Sequence, residues 1–264
     1  MNRMRERNDS VIFDIDSDIN VDSLWIIGPR AKGGKRENNY HGNFVPQIPS
    51  DLIRRFTNTG DVVLEPFMGS GTTLFECERL ERKYIGFDIN HKIVELVNQK
   101  MIGEYKDYFI HQIDSGSQLA EEKISEDLVS FSRSNVDLIL VHPPYYDIIK
   151  FTNQECDLSN AKSIDDFKIQ FINIIQRSFK YLRKNGHLAV VVGDLYRNSE
   201  VVPLGFIIMN EILNNFRCKL KGIVIKDMVG NRAKIGLEAL WRKRALKSDY
   251  YLFKHEYIFV FRKV

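Results

Sequence analysis

Two short segments contain the residues with the clearest chemical potential. The first, residues 65–73, reads Glu-Pro-Phe-Met-Gly-Ser-Gly-Thr-Thr, and the second, residues 141–147, reads Val-His-Pro-Pro-Tyr-Tyr-Asp. Glycine lets the backbone turn sharply and lets a ligand approach without a Cβ in the way. The first segment therefore suits a turn that holds a nucleotide-like cofactor. The second combines an acceptor, two rigid prolines and an aromatic ring, which suits a flat base that carries an amine.

The second segment can be assigned roles from the chemistry of such an amine, whose lone pair is delocalised into the ring. An acceptor at His142 and the carbonyl of Pro143 can bind the two amine hydrogens, which orients the nitrogen and favours the positive charge that develops on it. Pro143 and Pro144 fix the carbonyl direction and offer no competing N–H. Tyr145 can stack on a base extruded from a duplex. A strand-ending turn is the alternative interpretation of this segment.

For His142, packing alone is the alternative interpretation. Neutral imidazole has one acceptor nitrogen and protonated imidazole has none. We therefore predict that an activity that needs His142 as an acceptor falls as the pH drops through the imidazole pKa, which is about 6.5 if unperturbed. Asp147 is a candidate for orienting His142.

Short apolar strands alternate with amphipathic helices from residue 62 onward, after a helix that we expect to begin at a capping Ser50. This alternation predicts an α/β fold with a mainly parallel sheet covered by helices on both faces. The last two strands have no predicted helix between them, which indicates an antiparallel strand at the end. The predicted strands are 62–64, 84–87, 108–110, 136–141, 187–192, 220–225 and 257–261, and the predicted helices are 71–81, 91–101, 118–130, 164–182 and 204–215.

In this order, the two segments resemble those of the S-adenosylmethionine-dependent amino-methyltransferases that act on adenine N6 or cytosine N4 of DNA. The first is similar to the family signature Asp-Pro-Phe-x-Gly-Ser-Gly-Thr-Thr, with Glu65 in place of the aspartate. The second is similar to the family sequence of Asp, Asn or Ser followed by Pro-Pro and Tyr or Phe, with His142 in the first place. The resemblance implies a class I methyltransferase (Rossmann-like) sheet and S-adenosylmethionine as cofactor.

The resemblance also implies roles for residues around the cofactor. Glu65 would contact the methionine amino group, Asp88 would accept hydrogen bonds from the ribose hydroxyls, and Asp114 would lie at the adenine ring. Phe44 and Pro46 would pack on the methionine end. A helix N-cap is the alternative for Asp88, a loop position for Asp114, and the hydrophobic core for Phe44 and Pro46. The remaining predicted cofactor-binding residues are Phe67, Gly69, Ser70, Gly71, Thr72, Thr73 and Ile89.

Basic charge is concentrated in residues 228–254, which carry seven basic and two acidic side chains, whereas the whole chain has a net charge of +3. Phosphate contact is one use of such a segment, and a solvated basic face is the alternative. The stretch 30–36 is a second basic candidate, and we expect residues 148–163 to form a loop over the base pocket. The predicted nucleic-acid-binding residues are Arg232, Lys234, Trp241, Arg242, Lys243, Arg244 and Lys247.

The 264 residues suffice for one large α/β domain. We predict an N-terminal arm and flexible basic loop over 1–40, and a single methyltransferase domain over 41–264 with the basic insertion at 228–254. The three cysteines are too far apart for a disulfide framework or a CxxC metal site, so no metal is expected. We find no signal peptide and no apolar run of membrane-spanning length, and we expect a cytoplasmic protein.

Several functional alternatives stay open at this point. The leading one is methylation of a DNA base, with a slight preference for adenine N6 over cytosine N4, on duplex DNA with a flipped base. An RNA base methyltransferase, for instance one acting on guanine N2, is the second. A catalytically inactive subunit that binds cofactor and DNA is the third, and a protein glutamine methyltransferase is a remote fourth. A homodimer mate or a restriction or specificity subunit is a candidate partner.

Overall fold

The computed structural model describes residues 18–36, 42–228 and 238–264. Its strands are β1 (Leu24–Trp25), β2 (Val62–Glu65), β3 (Lys83–Phe87), β4 (Tyr108–His111), β5 (Val136–Val141), β6 (Leu182–Val192), β7 (Leu195–Arg197), β8 (Glu200–Val202), β9 (Cys218–Asp227) and β10 (His255–Lys263). Its helices are α1 (Gln47–Phe56), α2 (Thr72–Arg79), α3 (His91–Lys100), α4 (Gln118–Ser130), α5 (Ile164–Phe179), α6 (Leu204–Asn215) and α7 (Glu238–Lys247). Short 3-10 helices cover Gly34–Arg36 and Leu158–Asn160.

The main sheet has eight strands in the order β1-β9-β10-β6-β5-β2-β3-β4. Strands β2 to β6 pair in parallel, and β10 pairs antiparallel with both β6 and β9. The predicted α/β class, the mainly parallel sheet and the antiparallel last strand are confirmed. The chain winds outward from β2 in one direction and from β5 in the other. Ligands bind at such a reversal, outside the carboxyl ends of the strands.

Both faces of the sheet are covered. Successive side chains of a strand point to opposite faces, so Val62 and Leu64 of β2 join one hydrophobic cluster while Val63 joins the other. Helices α1, α2 and α3 contribute Ile48, Leu74 and Val94 to the second cluster. Helices α4, α5 and α6 pack against the first. This two-sided burial explains why β2 and β5 are apolar along most of their length and buried at every position.

Several features differ from the sequence-based expectations. Helix α1 begins at Gln47 after Pro46, and Ser50 lies inside the helix, where its hydroxyl accepts a hydrogen bond from Arg79, so its predicted capping role is wrong. Strand β6 starts earlier than predicted, at Leu182. The β7–β8 hairpin and helix α7 were not predicted. Within the described residues, no helix is both long enough and apolar enough to cross a bilayer.

Candidate active site

The turn after β2 has a backbone that requires glycine. Gly69 and Gly71 have φ values of +52° and +80°, in the left-handed region that residues with a Cβ rarely adopt. A Cβ on Gly71 would also lie 3.0 Å from a methyl carbon of Val97 in α3. The Gly69 N–H donates to Asp88 Oδ2 at 2.8 Å, across the gap between the ends of β2 and β3. The turn is therefore tied to the next strand and leaves its outer side open.

Asp88 follows β3 and presents a carboxylate to the same opening. Its Oδ1 accepts the Asn90 N–H at 2.8 Å and its Oδ2 accepts the Gly69 N–H, so each oxygen keeps a second acceptor site. Asn90, and not Asp88, occupies the N-cap position of α3. Burial raises the Asp88 pKa to about 6, although the two backbone N–H groups act in the opposite direction.

The carboxyl ends of four parallel strands meet around one cleft, which is open to solvent. The structure places many of the predicted residues together there. Those that line the cleft are Phe44, Phe67, Gly69, Ser70, Thr72, Asp88, Ile89, Asp114, His142, Pro143 and Pro144.

Of the predicted catalytic and cofactor-binding residues, five are not among those that line the cleft, namely Pro46, Glu65, Gly71, Thr73 and Tyr145. The Glu65 carboxyl is buried, and its two oxygens accept hydrogen bonds from the hydroxyls of Thr73 and Tyr84, each at 2.6 Å. Burial raises the Glu65 pKa to about 8. The structure thus gives Glu65 two partners within the fold, and its position does not support the predicted contact with the cofactor.

His142 follows β5 and lies between two other aromatic rings. Phe44 meets the imidazole edge-on, with ring centroids 4.7 Å apart, and His142 Nε2 lies 3.2 Å from the Tyr145 hydroxyl oxygen. Burial lowers the His142 pKa to about 4, with Glu256 raising it and Lys226 lowering it further. The predicted loss of activity near pH 6.5 applies to an unperturbed imidazole; burial moves the titration to about pH 4, and the imidazole is neutral at neutral pH. Asp147 forms an ion pair with Arg197 and so does not orient His142.

The cleft fits S-adenosylmethionine in the chemistry of its walls. Phe44, Phe67 and Ile89 supply apolar surface, and the Asp88 carboxylate supplies acceptors for ribose hydroxyls. Thr72 Oγ1 is buried at the cleft and has no hydrogen-bond partner among the residues that the structure describes. Buried polar atoms are normally paired, so a hydroxyl in this state is suited to a polar group of a bound molecule.

Part of the lining was not predicted residue by residue. Phe151, Thr152, Cys156, Asp157 and Leu158 reach the cleft from the segment that we expected to form a loop there. Asp157 organises this loop, since its two carboxylate oxygens accept hydrogen bonds from the backbone N–H and hydroxyl groups of Thr152 and Ser159. The sequence does contain a signal for this loop, because an acidic residue near Thr and Ser commonly closes a local turn.

Glu256 is a second residue that the sequence did not single out. It is buried in β10, and its Oε2 accepts the Tyr145 hydroxyl at 3.0 Å. The signal was a lone acidic side chain at the start of an apolar strand, which is uncommon unless the carboxylate has a partner.

Helix α7 carries most of the described part of the basic insertion. Its basic side chains Arg242, Lys243, Arg244 and Lys247 are exposed, and the Arg244 guanidinium lies 5.1 Å from the centre of the Trp241 ring. Arg232 and Lys234 lie outside the described residues. In the other basic stretch, Lys35 and Arg36 form ion pairs with Glu78 and Glu76 of α2. These pairs hold the stretch against the protein and do not support its predicted contact with phosphate.

Comparisons with known proteins agree with this geometry. Residues 3–99 match the family model described as DNA methylase, N6_N4_Mtase. Over 101 residues the chain is 36% identical to the type II methyltransferase M.MjaII of Methanocaldococcus jannaschii, an alignment that covers 37% of this chain and 19% of that protein. Over 89 residues it is 45% identical to the type II methyltransferase M.BamHI of Bacillus amyloliquefaciens, covering 34% and 21%.

These alignments cover about a fifth of the length of the curated relatives. A solved methyltransferase structure from Pyrococcus furiosus superimposes with a TM-score of 0.50 at 13% identity, covering 86% of this chain and 87% of that one, and so shows the likeness in fold. The family match covers the segment that builds the cofactor side of the cleft, and the sheet order and the Pro-Pro-Tyr segment agree with it. Over these matched segments, each of which spans little more than a third of its length, the chain is similar to N6/N4 DNA methylases.

Proposed function

We propose that this protein transfers a methyl group from S-adenosylmethionine to the exocyclic amine of a base in DNA. One observation supports this above all others. The glycine turn with Asp88, and the His142-Pro143-Pro144 segment, line the same cleft from neighbouring strand ends. A cofactor held by the first group and a base held by the second would lie within reach of each other, which is what a direct group transfer requires.

The residues of the cleft divide into two sets of roles. Bound S-adenosylmethionine supplies an activated methyl group on a sulfonium. Asp88 accepts hydrogen bonds from its ribose hydroxyls, and Phe44 and Phe67 enclose it. On the other side, His142 and the carbonyl of Pro143 accept the two hydrogens of the target amine. These acceptors orient the nitrogen and stabilise the positive charge that develops on it.

The target base is adenine at N6 or cytosine at N4. Both present a planar ring with an exocyclic amine. The acceptors that bind this amine, His142 and the Pro143 carbonyl, do not discriminate between the two bases. We retain a slight preference for adenine. The loop that contains Phe151 and Asp157 borders the cleft, so it is a candidate for contact with the rest of the base.

Duplex DNA with one base flipped out is the proposed substrate, because an enzyme that acts on a base of a duplex must take that base out of the stack. Helix α7 would contribute phosphate contacts through its exposed basic side chains. Recognition of sequence would come from loops of this chain, from a second copy, or from a restriction or specificity subunit.

The test is incubation of the purified protein with methyl-labelled S-adenosylmethionine and unmethylated duplex DNA, with bulk tRNA in parallel. Digestion and mass spectrometry of the nucleosides then identify the product. We expect N6-methyladenine or N4-methylcytosine from the DNA. Label in tRNA alone would contradict the proposal and support an RNA methyltransferase. Cofactor binding without label in either would support the inactive-subunit alternative.

A control variant separates catalysis from cofactor binding. His142→Phe keeps a flat ring of similar size but removes the acceptor nitrogen. We expect methyl transfer to fall by about 100-fold or more, as happens when one polar group that stabilises developing charge is removed. Cofactor affinity, measured by calorimetry, should stay within about twofold, since Asp88 and the glycine turn are unchanged. An unchanged rate would exclude His142 as an acceptor.

A further inference from the structure

A buried ion pair lies close to His142 and has no role in the proposed function so far. Lys226 of β9 and Glu256 of β10 are cross-strand partners, and Lys226 Nζ lies 2.9 Å from Glu256 Oε1. Both side chains are only 9% exposed. Removing two charges from water is costly, and apolar residues of similar size are often at least as stabilising. Stability alone therefore does not account for this pair.

Hydrogen bonds connect this pair to the imidazole. Glu256 Oε2 accepts the Tyr145 hydroxyl at 3.0 Å, and the Tyr145 oxygen lies 3.2 Å from His142 Nε2. Burial raises the Tyr145 pKa well above its ordinary value, so the phenol keeps its proton. The carboxylate paired with Lys226 can only accept. The single phenol proton is therefore committed to Glu256.

The position of that proton determines the tautomer of His142. With its hydrogen directed at Glu256, the Tyr145 oxygen can only accept from the imidazole, so His142 Nε2 must carry the ring hydrogen. Neutral imidazole has one N–H and one bare nitrogen, which leaves Nδ1 as the acceptor. Among the described residues, His142 Nδ1 has no hydrogen-bond partner, and His142 lines the cleft.

We propose that Lys226 and Glu256 are positioning residues that act through Tyr145 to hold His142 as the Nε2–H tautomer, so that Nδ1 accepts a hydrogen of the target amine. This inference rests on the proposed function. It also explains why a histidine can stand where the family has Asp, Asn or Ser. Those side chains present an acceptor oxygen directly, whereas a histidine in the other tautomer would present an N–H to the amine and repel it.

The first test reads the tautomer itself and needs no activity. The chain has six histidines, and in protein labelled with ¹⁵N-histidine the His142 signals are those lost in His142→Asn. We expect a protonated Nε2 and a bare Nδ1 at pH 7. A protonated Nδ1 in the unaltered protein would overturn the proposal.

Variants show whether the network sets this state. Lys226→Met with Glu256→Leu removes both charges together, so that no unpaired charge stays buried. The freed Tyr145 hydroxyl can then donate to Nε2, and we expect His142 to shift toward the Nδ1–H tautomer. Tyr145→Phe should give a mixture. Tyr146→Phe is the matched control, because it makes the same change at the next residue, and its His142 signals should not change. Unchanged signals in the double variant and in Tyr145→Phe would refute the network.

The second test uses methyl transfer at saturating cofactor and DNA. We expect Tyr145→Phe and the Lys226→Met/Glu256→Leu variant to be slower by about 10- to 100-fold, as is common when a partner that orients a functional histidine is removed. Tyr146→Phe should be close to the unaltered protein. Thermal unfolding of each variant shows that the loss is not one of folding.

A double-mutant cycle separates positioning from general structural support. In a His142→Asn background the acceptor is an amide oxygen with no tautomer to select, so the Lys226→Met/Glu256→Leu change should cost less than threefold there. An equal cost in both backgrounds would overturn the proposal. Failure of the proposed function is distinguishable, because the unaltered protein would then label no nucleic acid, while the ¹⁵N spectra would still report the tautomer.

Discussion

Burial determines the pH at which the imidazole of His142 gains its charge. The groups that face it are the Tyr145 phenol, the Glu256 carboxylate and the Lys226 ammonium, and burial outweighs them in lowering the pKa to about 4. The neutral, accepting form therefore predominates above about pH 4 and is lost as the pH falls through that value. We expect the single-turnover methylation rate at saturating cofactor to be constant from pH 5.5 to 8.

The contrast with an ordinary histidine makes this measurement informative. A pKa near 6.5 would halve the rate at that pH if only the neutral form were active. A rate that falls with an apparent pKa between 6 and 7, with cofactor saturating throughout, would contradict the assigned environment of His142.

Asp88 is expected to give cofactor binding a pH dependence of its own. Its pKa is raised to about 6 by burial, and only the ionised carboxylate accepts from both ribose hydroxyls. Affinity for S-adenosylhomocysteine should thus be full above pH 7 and fall about tenfold between pH 7 and 5. Calorimetric titration measures this directly. Asp88→Asn should bind more weakly at pH 7.5 and show little further change on acidification; an equally steep fall in that variant would assign the effect to another group.

The individual residues of the site were predictable where a local string defines them. The glycine turn, Asp88 and His142-Pro143-Pro144 follow directly from short motifs next to strands. Glu65 shows the limit, because its partners come from α2 and β3 and are decided by packing across elements. The partner of Glu256 could not be predicted for the same reason, since its contact with Tyr145 joins residues 111 positions apart.

At the scale of elements, Glu65 connects three of them. Its carboxyl at the end of β2 receives hydrogen bonds from Thr73 of α2 and Tyr84 of β3. Its pKa is about 8 in the folded protein, above the value of 4.5 for the free side chain. Its contribution to stability is therefore complete below pH 4.5 and is lost as the pH rises through 8.

We expect Glu65→Gln to remove this dependence. The free energy of unfolding, measured with urea in the absence of cofactor, should decline from pH 5 to 8 in the unaltered protein relative to Glu65→Gln, by an amount on the order of a few kcal/mol. Glu104→Gln, at an exposed position, is the control and should run parallel to the unaltered protein. Parallel curves for Glu65→Gln would show that Glu65 is already ionised at pH 5.

Most elements were predictable because two-residue and 3.6-residue apolar periods are strong signals in a sheet covered on both faces. Helices α3 and α4 and strand β5 begin at the predicted residues. The β7–β8 hairpin was not predicted because strands of three residues are too short to show an apolar period. The start of α1 was predicted wrongly because the helix follows Pro46 and has no side-chain cap.

At the scale of the whole molecule, the sheet order brings the strand ends of β2, β3, β4 and β5 to one edge and so assembles one cleft from distant motifs. The basic charge lies in a different part of the chain, on α7 between β9 and β10. This division predicts that DNA affinity and chemistry can be altered separately. Phosphate contacts release counterions, so each one contributes to the salt dependence of binding.

Arg242→Gln with Lys243→Gln on α7 tests that division. We expect DNA affinity to fall, and the slope of log affinity against log salt to become shallower by about one unit per lost phosphate contact. Cofactor affinity and the rate at saturating DNA should not change, because neither residue lines the cleft.

Lys184→Gln with Lys221→Gln is the matched control. It removes the same charge from two exposed positions. Lys184 lies near the start of β6, beside the start of β5, and Lys221 lies near the start of β9, which pairs with the carboxyl end of β10. Both positions are away from the cleft. Equal losses of DNA affinity in the two double variants would show that α7 acts only through the net charge of the protein. A loss of DNA affinity confined to the α7 variant would show that this helix contacts the DNA.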